Sequence, residues 1–326
     1  MAVKFGVFVP QGWRRDLVEI ADPVEKFEAM TRVAKAADAI PAIDSIWVYD
    51  HFHTVPEPTL EATFECWTIT ATLSRDTQRV NIGQMVTCNG YRNPALLAKI
   101  ASTVDVASHG RLYCGLGAGW YEHEWLAFGY GFPETRDRMR MLREACAIIT
   151  KMWTEDYPTF QGEHYSINGP INEPKGVRQP HPSFWIGGSG EQVTLRLVAR
   201  YGDACNIGAD PDTLRHKFAV LRQHCETIGR DYESIIRSSN MMMFPLEPGE
   251  DPEKATEKVR AAIGATFAEY QNTVQVGTPE EIAAKLQARV DAGVNYIIAY
   301  IADIAYDLDR LHLYTEEIIP RIHQDA

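Results

Sequence analysis

The sequence predicts an α/β chain closed into a single (β/α)8 TIM barrel spanning residues 1–326. Three observations carry this. Short apolar runs alternate with longer amphipathic ones from end to end, which is the pattern of βα units around a parallel sheet. Eight such units can be counted, the number that closes a barrel. Finally, the stretch that could open a dinucleotide-binding sheet is misplaced. Gly115-Leu116-Gly117-Ala118-Gly119 follows the fourth apolar run, and Trp120 stands where the third glycine of that fingerprint belongs.

The units follow in order. A strand at 3–9 leads to a helix at 23–40, a strand at 45–49 to a helix near 61–74, and a strand at 80–86 to a helix at 94–107. That third helix is the best marked: Asn93 can cap it, Pro94 suits its first position, and Gly110 follows its end. The fourth strand, 111–116, precedes a loop rich in aromatics and glycine and then a long helix at 134–153. From 157 to 182 five prolines and several glycines interrupt any period, so an insertion is expected after the fourth unit, shaping the substrate pocket. The repeat resumes with strands at 183–186, 203–207, 235–242 and 295–300. Helices are expected at 192–200, 211–229 and 279–292, with a polar helical stretch before the last of these and a final helix ending near 319.

Composition narrows the function. With 45% hydrophobic and 23% charged residues the chain is globular, and 32 Lys and Arg against 44 Asp and Glu give a net charge of −12. No basic run exceeds Arg14-Arg15, so neither a nucleic-acid partner nor an anionic membrane is expected. The six cysteines form no C-x-x-C pair, the start of the chain has no export signal, and no segment approaches 18 apolar residues; the expectation is a cytoplasmic protein with reduced thiols.

A barrel carries its site at the C-terminal ends of its strands, so the residues just after the apolar runs are the candidates. The second strand delivers Asp50-His51-Phe52-His53, the third Thr87-Cys88-Asn89, the fourth Gly117 to Glu124, and the fifth Gly187-Gly188-Ser189-Gly190-Glu191. A glycine-rich turn opening a helix offers unpaired amides to a phosphate, or is simply a tight turn. His51 beside Asp50 can move a proton near neutral pH, or be a structural histidine. His51-x-His53 also suits a metal-dependent barrel hydrolase, but further ligands are scarce and Asp303 is the only obvious helper. Trp47, Tyr49, Trp120, Tyr121 and Trp125 suit either an ordinary core or a planar ring system.

Together these segments resemble the bacterial luciferase-like superfamily, and more closely its branch that uses the deazaflavin coenzyme F420. The resemblance rests on Asp44 to Phe52, Tyr91 to Lys99, Gly110-Arg111, Gly115 to Glu124, and Ile186 to Glu191 followed by Asp203, in that order. It implies a homodimeric barrel with the deazaflavin ring in its mouth and a non-prolyl cis peptide at Met85-Val86. By the same matching, Asp50 and His51 would sit beside the ring and Met85, Val86, Thr87 and Cys88 would contact its face. Gly187, Gly188, Ser189, Gly190 and Glu191 would bind the phosphate, and His123 would lie near the ribityl chain or substrate. One residue departs from the pattern: sugar-phosphate dehydrogenases of this branch carry a proton-donating glutamate where this chain has Trp120. The resemblance therefore implies an F420-dependent reductase that passes hydride from the deazaflavin C5 to a C=C or C=N bond of a small organic substrate. His51 or Tyr121 would handle the proton, and Arg92, Arg136 or Arg138 are the cations available to an anionic coenzyme. The alternatives are an FMN-dependent two-component monooxygenase of the same superfamily and the metal-dependent hydrolase.

Overall fold

The computed structural model describes residues 2–323. In chain order the repeat reads β1 (Lys4–Phe8), α1 (Pro23–Ala39), β2 (Ile43–Val48), α2 (Cys66–Asp76), β3 (Asn81–Gln84), α3 (Pro94–Ala107), β4 (Leu112–Gly117) and α4 (Thr135–Thr154). It continues with β5 (Ser183–Gly187), α5 (Thr194–Tyr201), β6 (Ala204–Asn206), α6 (Pro211–Ile228), β7 (Ile236–Pro245), α7 (Pro279–Val290) and β8 (Tyr296–Ile301). One local device starts four of these helices. Asp22, Asn93, Asp210 and Thr278 each accept hydrogen bonds from first-turn amides, and each is followed by a proline whose fixed φ suits the first helical position. Glu65 caps α2 in the same way without proline, so that helix begins at Cys66 and not near 61.

The eight strands are parallel, and β8 pairs with β1 as well as β7, which closes the barrel. Trp47 fills the lumen because the positions facing it are small. A Cβ on Gly83 would lie 2.4 Å from its ring, and one on Gly6 would meet both Trp47 and the Ser45 hydroxyl. Trp185, Tyr113 and Tyr296 pack around it. Below, Asp44 accepts hydrogen bonds from the hydroxyls of Tyr296 (2.6 Å) and Tyr113 (3.2 Å) and pairs with Lys4. Burial alone would raise the Asp44 carboxyl, but these donors hold it below the usual range. The lumen is thus plugged from the bottom, and the larger apolar layer lies between strands and helices.

The third strand is interrupted. Gly83 pairs with Tyr113 but Thr87 pairs with Leu116, so three residues, Gln84 to Val86, oppose two on β4. This is a bulge, and the peptide between Met85 and Val86 is cis. The glycines of β4 make room for it: a Cβ on Gly115 would lie 1.8 Å from the Gln84 carbonyl, and one on Gly117 2.6 Å from Val86.

Two excursions leave the repeat. Residues 155–182 carry a small hairpin, Thr159–Gln161 paired with Ser166–Asn168, and fold back along α3 and α4. Asp105 of α3 accepts the amides of Val177 and Arg178, and Glu144 of α4 accepts those of Glu163, His164 and Tyr165. The stretch after β7 forms three short helices, Pro252–Ala255, Glu257–Ile263 and Phe267–Gln271. All six cysteines are buried and unpaired, and among the described residues no helix is long and apolar enough to cross a membrane.

Candidate active site

A cavity of about 390 Å³ opens at the C-terminal mouth of the barrel. β2 contributes Tyr49, Asp50 and His51, the bulge contributes Met85, Val86, Thr87 and Cys88, β4 contributes Gly117 to Tyr121, and β5 contributes Gly187 and Gly188. Four of the expected residues lie outside it: His123, Ser189, Gly190 and Glu191.

His51 is the best-defined group. Its Nδ1 lies 3.0 Å from a carboxylate oxygen of Glu124, which sits on the short helix Glu122–Ala127 just after β4. Glu124 has no exposed side-chain surface, and it also accepts the Phe52 amide (2.8 Å) and the Tyr91 hydroxyl (2.9 Å). Burial would raise its carboxyl, yet the hydrogen bonds from His51, Phe52 and Tyr91 outweigh burial and hold it below the ordinary range. An ionised Glu124 only accepts, so His51 donates from Nδ1. Its Nε2, with no hydrogen-bond partner among the described residues, is left for the cavity. Trp13 stacks 5.3 Å from the imidazole, while Trp120 and Tyr121 present their edges to it.

The other titratable groups on the cavity wall are committed elsewhere. Asp50 is held by both terminal nitrogens of Arg92 (2.7 and 3.0 Å) and accepts the Cys88 amide, so it anchors the chain just after the bulge. Burial pushes the Cys88 thiol up to about 12. The Tyr121 ring lines the cavity, but its hydroxyl donates to the Pro56 carbonyl at 2.6 Å, away from proton transfer. His123 bonds to His53 at 3.1 Å on the rim. Glu191 turns toward α6, where Lys217 and His216 hold its carboxyl below the usual range. Helix α5 starts at Thr194, two residues later than its sequence suggests, and carries no side-chain cap. Only Gly187, Gly188 and Thr194 of this turn line the cavity.

None of the expected cations reaches the cavity. Arg92 is taken by Asp50 and Glu65, Arg138 lies over the Phe132 ring, and neither lysine nor arginine, Arg136 included, is among the lining residues. Residues 157–182 contribute nothing to the wall either; Tyr165 accepts a hydrogen bond from Asn89, which does not line the cavity. Sequence reasoning missed Trp13 and Asn206, after the first strand and at the end of the sixth, because only four strand ends were weighed, and Asn240, which lies in the middle of the long β7. Among the described residues no group of three or more His, Cys, Asp or Glu side chains could hold a metal ion.

Comparison with known proteins places this geometry. Residues 3–296 match the luciferase-like monooxygenase family. The F420-dependent glucose-6-phosphate dehydrogenase of Kineococcus radiotolerans is 30% identical over 289 residues, covering 78% of this chain and 82% of that protein. The same enzyme from Amycolatopsis mediterranei is 26% identical over 94% of both chains. Among solved structures, an F420-dependent secondary alcohol dehydrogenase in complex with an F420-acetone adduct superposes with a TM-score of 0.81 at 21% identity, covering 99% of this chain and all of that one. With the family's model matched over residues 3–296, the chain belongs to the luciferase-like monooxygenase family.

Proposed function

We propose that the chain is an F420-dependent oxidoreductase that works as a reductase, adding hydride and a proton across a C=C or C=N bond of a small organic substrate. The observation that carries this reading is the state of the cavity wall: it presents the His51 imidazole with Nδ1 fixed by Glu124 and Nε2 left without a hydrogen-bond partner among the described residues. When bound, the deazaflavin supplies the hydride from its C5.

The residues present suit such a group. The cavity falls in the size range of cofactor sites, the bulge of Met85 to Cys88 gives it one wall, and Trp13, Tyr49 and His51 line it from neighbouring strand ends. Gly187, Gly188 and the uncapped amides of α5 supply donors for a phosphate, with Lys217 held nearby by Glu191. Glu124 orients His51 and stabilises its imidazolium form. His51 gives its proton from Nε2 to the atom next to the one receiving hydride, and regains it from solvent at the mouth.

Oxidation of a sugar phosphate is disfavoured on two counts. Trp120 replaces the glutamate expected of such enzymes, and the cavity wall holds no lysine or arginine for a substrate phosphate. Parallel fluorescence titrations of the purified protein with F420 and FMN test the cofactor. Saturable preference for F420 is expected; preference for FMN would move the chain to monooxygenation.

A further inference from the structure

A second chamber of about 320 Å³ lies beside the first. The two are neighbours along the chain: Trp13 and Asn240 line the first, while Arg14 and Met242 line the second. One layer of rings divides them, with Trp13 and Tyr49 on one side and Tyr300, 6.0 Å from Trp13, on the other.

Most of this chamber is apolar, walled by Met242, Val259, Ile263, Val274 and Ala302. Its roof is the stretch of three short helices after β7, and that roof is lightly anchored. The first two helices bury no side chain and the third buries only Tyr270. Arg15 donates to the Ala262 carbonyl, and Arg310 ties Glu250 to Asp303. Such a segment opens at little cost compared with the barrel beneath it.

Two buried polar atoms in this chamber have no partner among the described residues: the hydroxyl of Tyr270, itself 3% exposed, and Oδ1 of Asp303. Buried polar groups are normally paired, so these two call for a donor and an acceptor from elsewhere. Asp303 also holds a left-handed backbone (φ 68°), and burial pushes its carboxyl up to about 6, as expected for a carboxylate short of donors. The charges suit no phosphate, because three lining cations face four carboxylates and Arg15 already pairs with Glu57.

We propose that this chamber is a separate binding site for a neutral, largely apolar molecule carrying a hydrogen-bond donor for Asp303. This site goes beyond the reductase reading and does not depend on it.

The experiment uses the full chain without coenzyme and the fluorescent amine N-phenyl-1-naphthylamine, which is apolar and carries one N–H. Saturable one-to-one binding is expected, with at least tenfold weaker binding of 1-phenoxynaphthalene, the ether without that N–H, measured by displacement. Filling the chamber with Ala262→Trp or Val259→Trp should weaken the amine at least tenfold while the melting curve and F420 affinity stay as in the parent. Amine binding unchanged in both folded variants, equal affinity for the ether, or displacement of the amine by inorganic phosphate would each overturn the proposal. Failure of F420 to bind the parent, with the amine results as expected, would overturn the reductase reading alone.

Discussion

At the scale of single residues the account turns on His51 and Glu124. On the proposed reading His51 donates the proton, so His51→Ala should lower turnover about 10²- to 10⁴-fold with F420 affinity little changed, as steady-state rates and a titration would show. Glu124 bears on the proposed proton transfer and on stability. Its carboxyl is held low when folded, so its contribution to stability is complete above the unfolded carboxylate range and is lost as pH falls through the folded value. Glu124→Gln should therefore lower stability by about 1–3 kcal/mol at pH 7, and urea midpoints of variant and parent should converge only as pH falls below the ordinary carboxylate range. The same variant should shift the pH profile of turnover, which loss of packing alone would not do. His51 was legible from its place at a strand end. Glu124 was within the segment singled out, but nothing in sequence shows that one turn of helix returns it to His51 and Tyr91.

At the scale of elements, the glycines of β4 are explained by their neighbour across the sheet. Gly115→Ala would put a methyl against the Gln84 carbonyl, and since no backbone yields that far, we expect a loss of about 1–3 kcal/mol or more by chemical denaturation and weaker F420 binding. A pattern that resembles a nucleotide fingerprint thus serves the bulge. The proline-rich insertion illustrates the opposite case. Its length and irregularity suggested a pocket-forming loop, but its polar atoms are absorbed by Asp105 and Glu144 on the outer helices. Replacing residues 159–168 by a short turn should leave turnover and substrate preference unchanged, as an assay of the shortened protein would show. The stretch after β7 was legible only as polar helix, because its apolar side chains face a chamber and leave no core-like period.

At the scale of the whole molecule, the eight-fold alternation was legible because a buried parallel strand and an amphipathic helix have different periods, and capped proline starts punctuate them. Closure followed from the count, and the position of the mouth from the direction of the strands. What sequence could not supply was the balance of charge inside the mouth. A net charge of −12 pointed to a need for local cations, yet the cavity wall holds none, and its donors are amides and neutral side chains. On the proposed reading, that wall is what distinguishes this chain from the sugar-phosphate dehydrogenases it is similar to. The most direct test supplies reduced F420 anaerobically with a panel of unsaturated ketones, enoates and imines, and oxidised F420 with glucose 6-phosphate, following the coenzyme's absorbance in each. The account predicts coenzyme oxidation with at least one C=C or C=N acceptor and no reduction by the sugar phosphate. Reduction of F420 by glucose 6-phosphate, with none of the acceptors turned over, would contradict it.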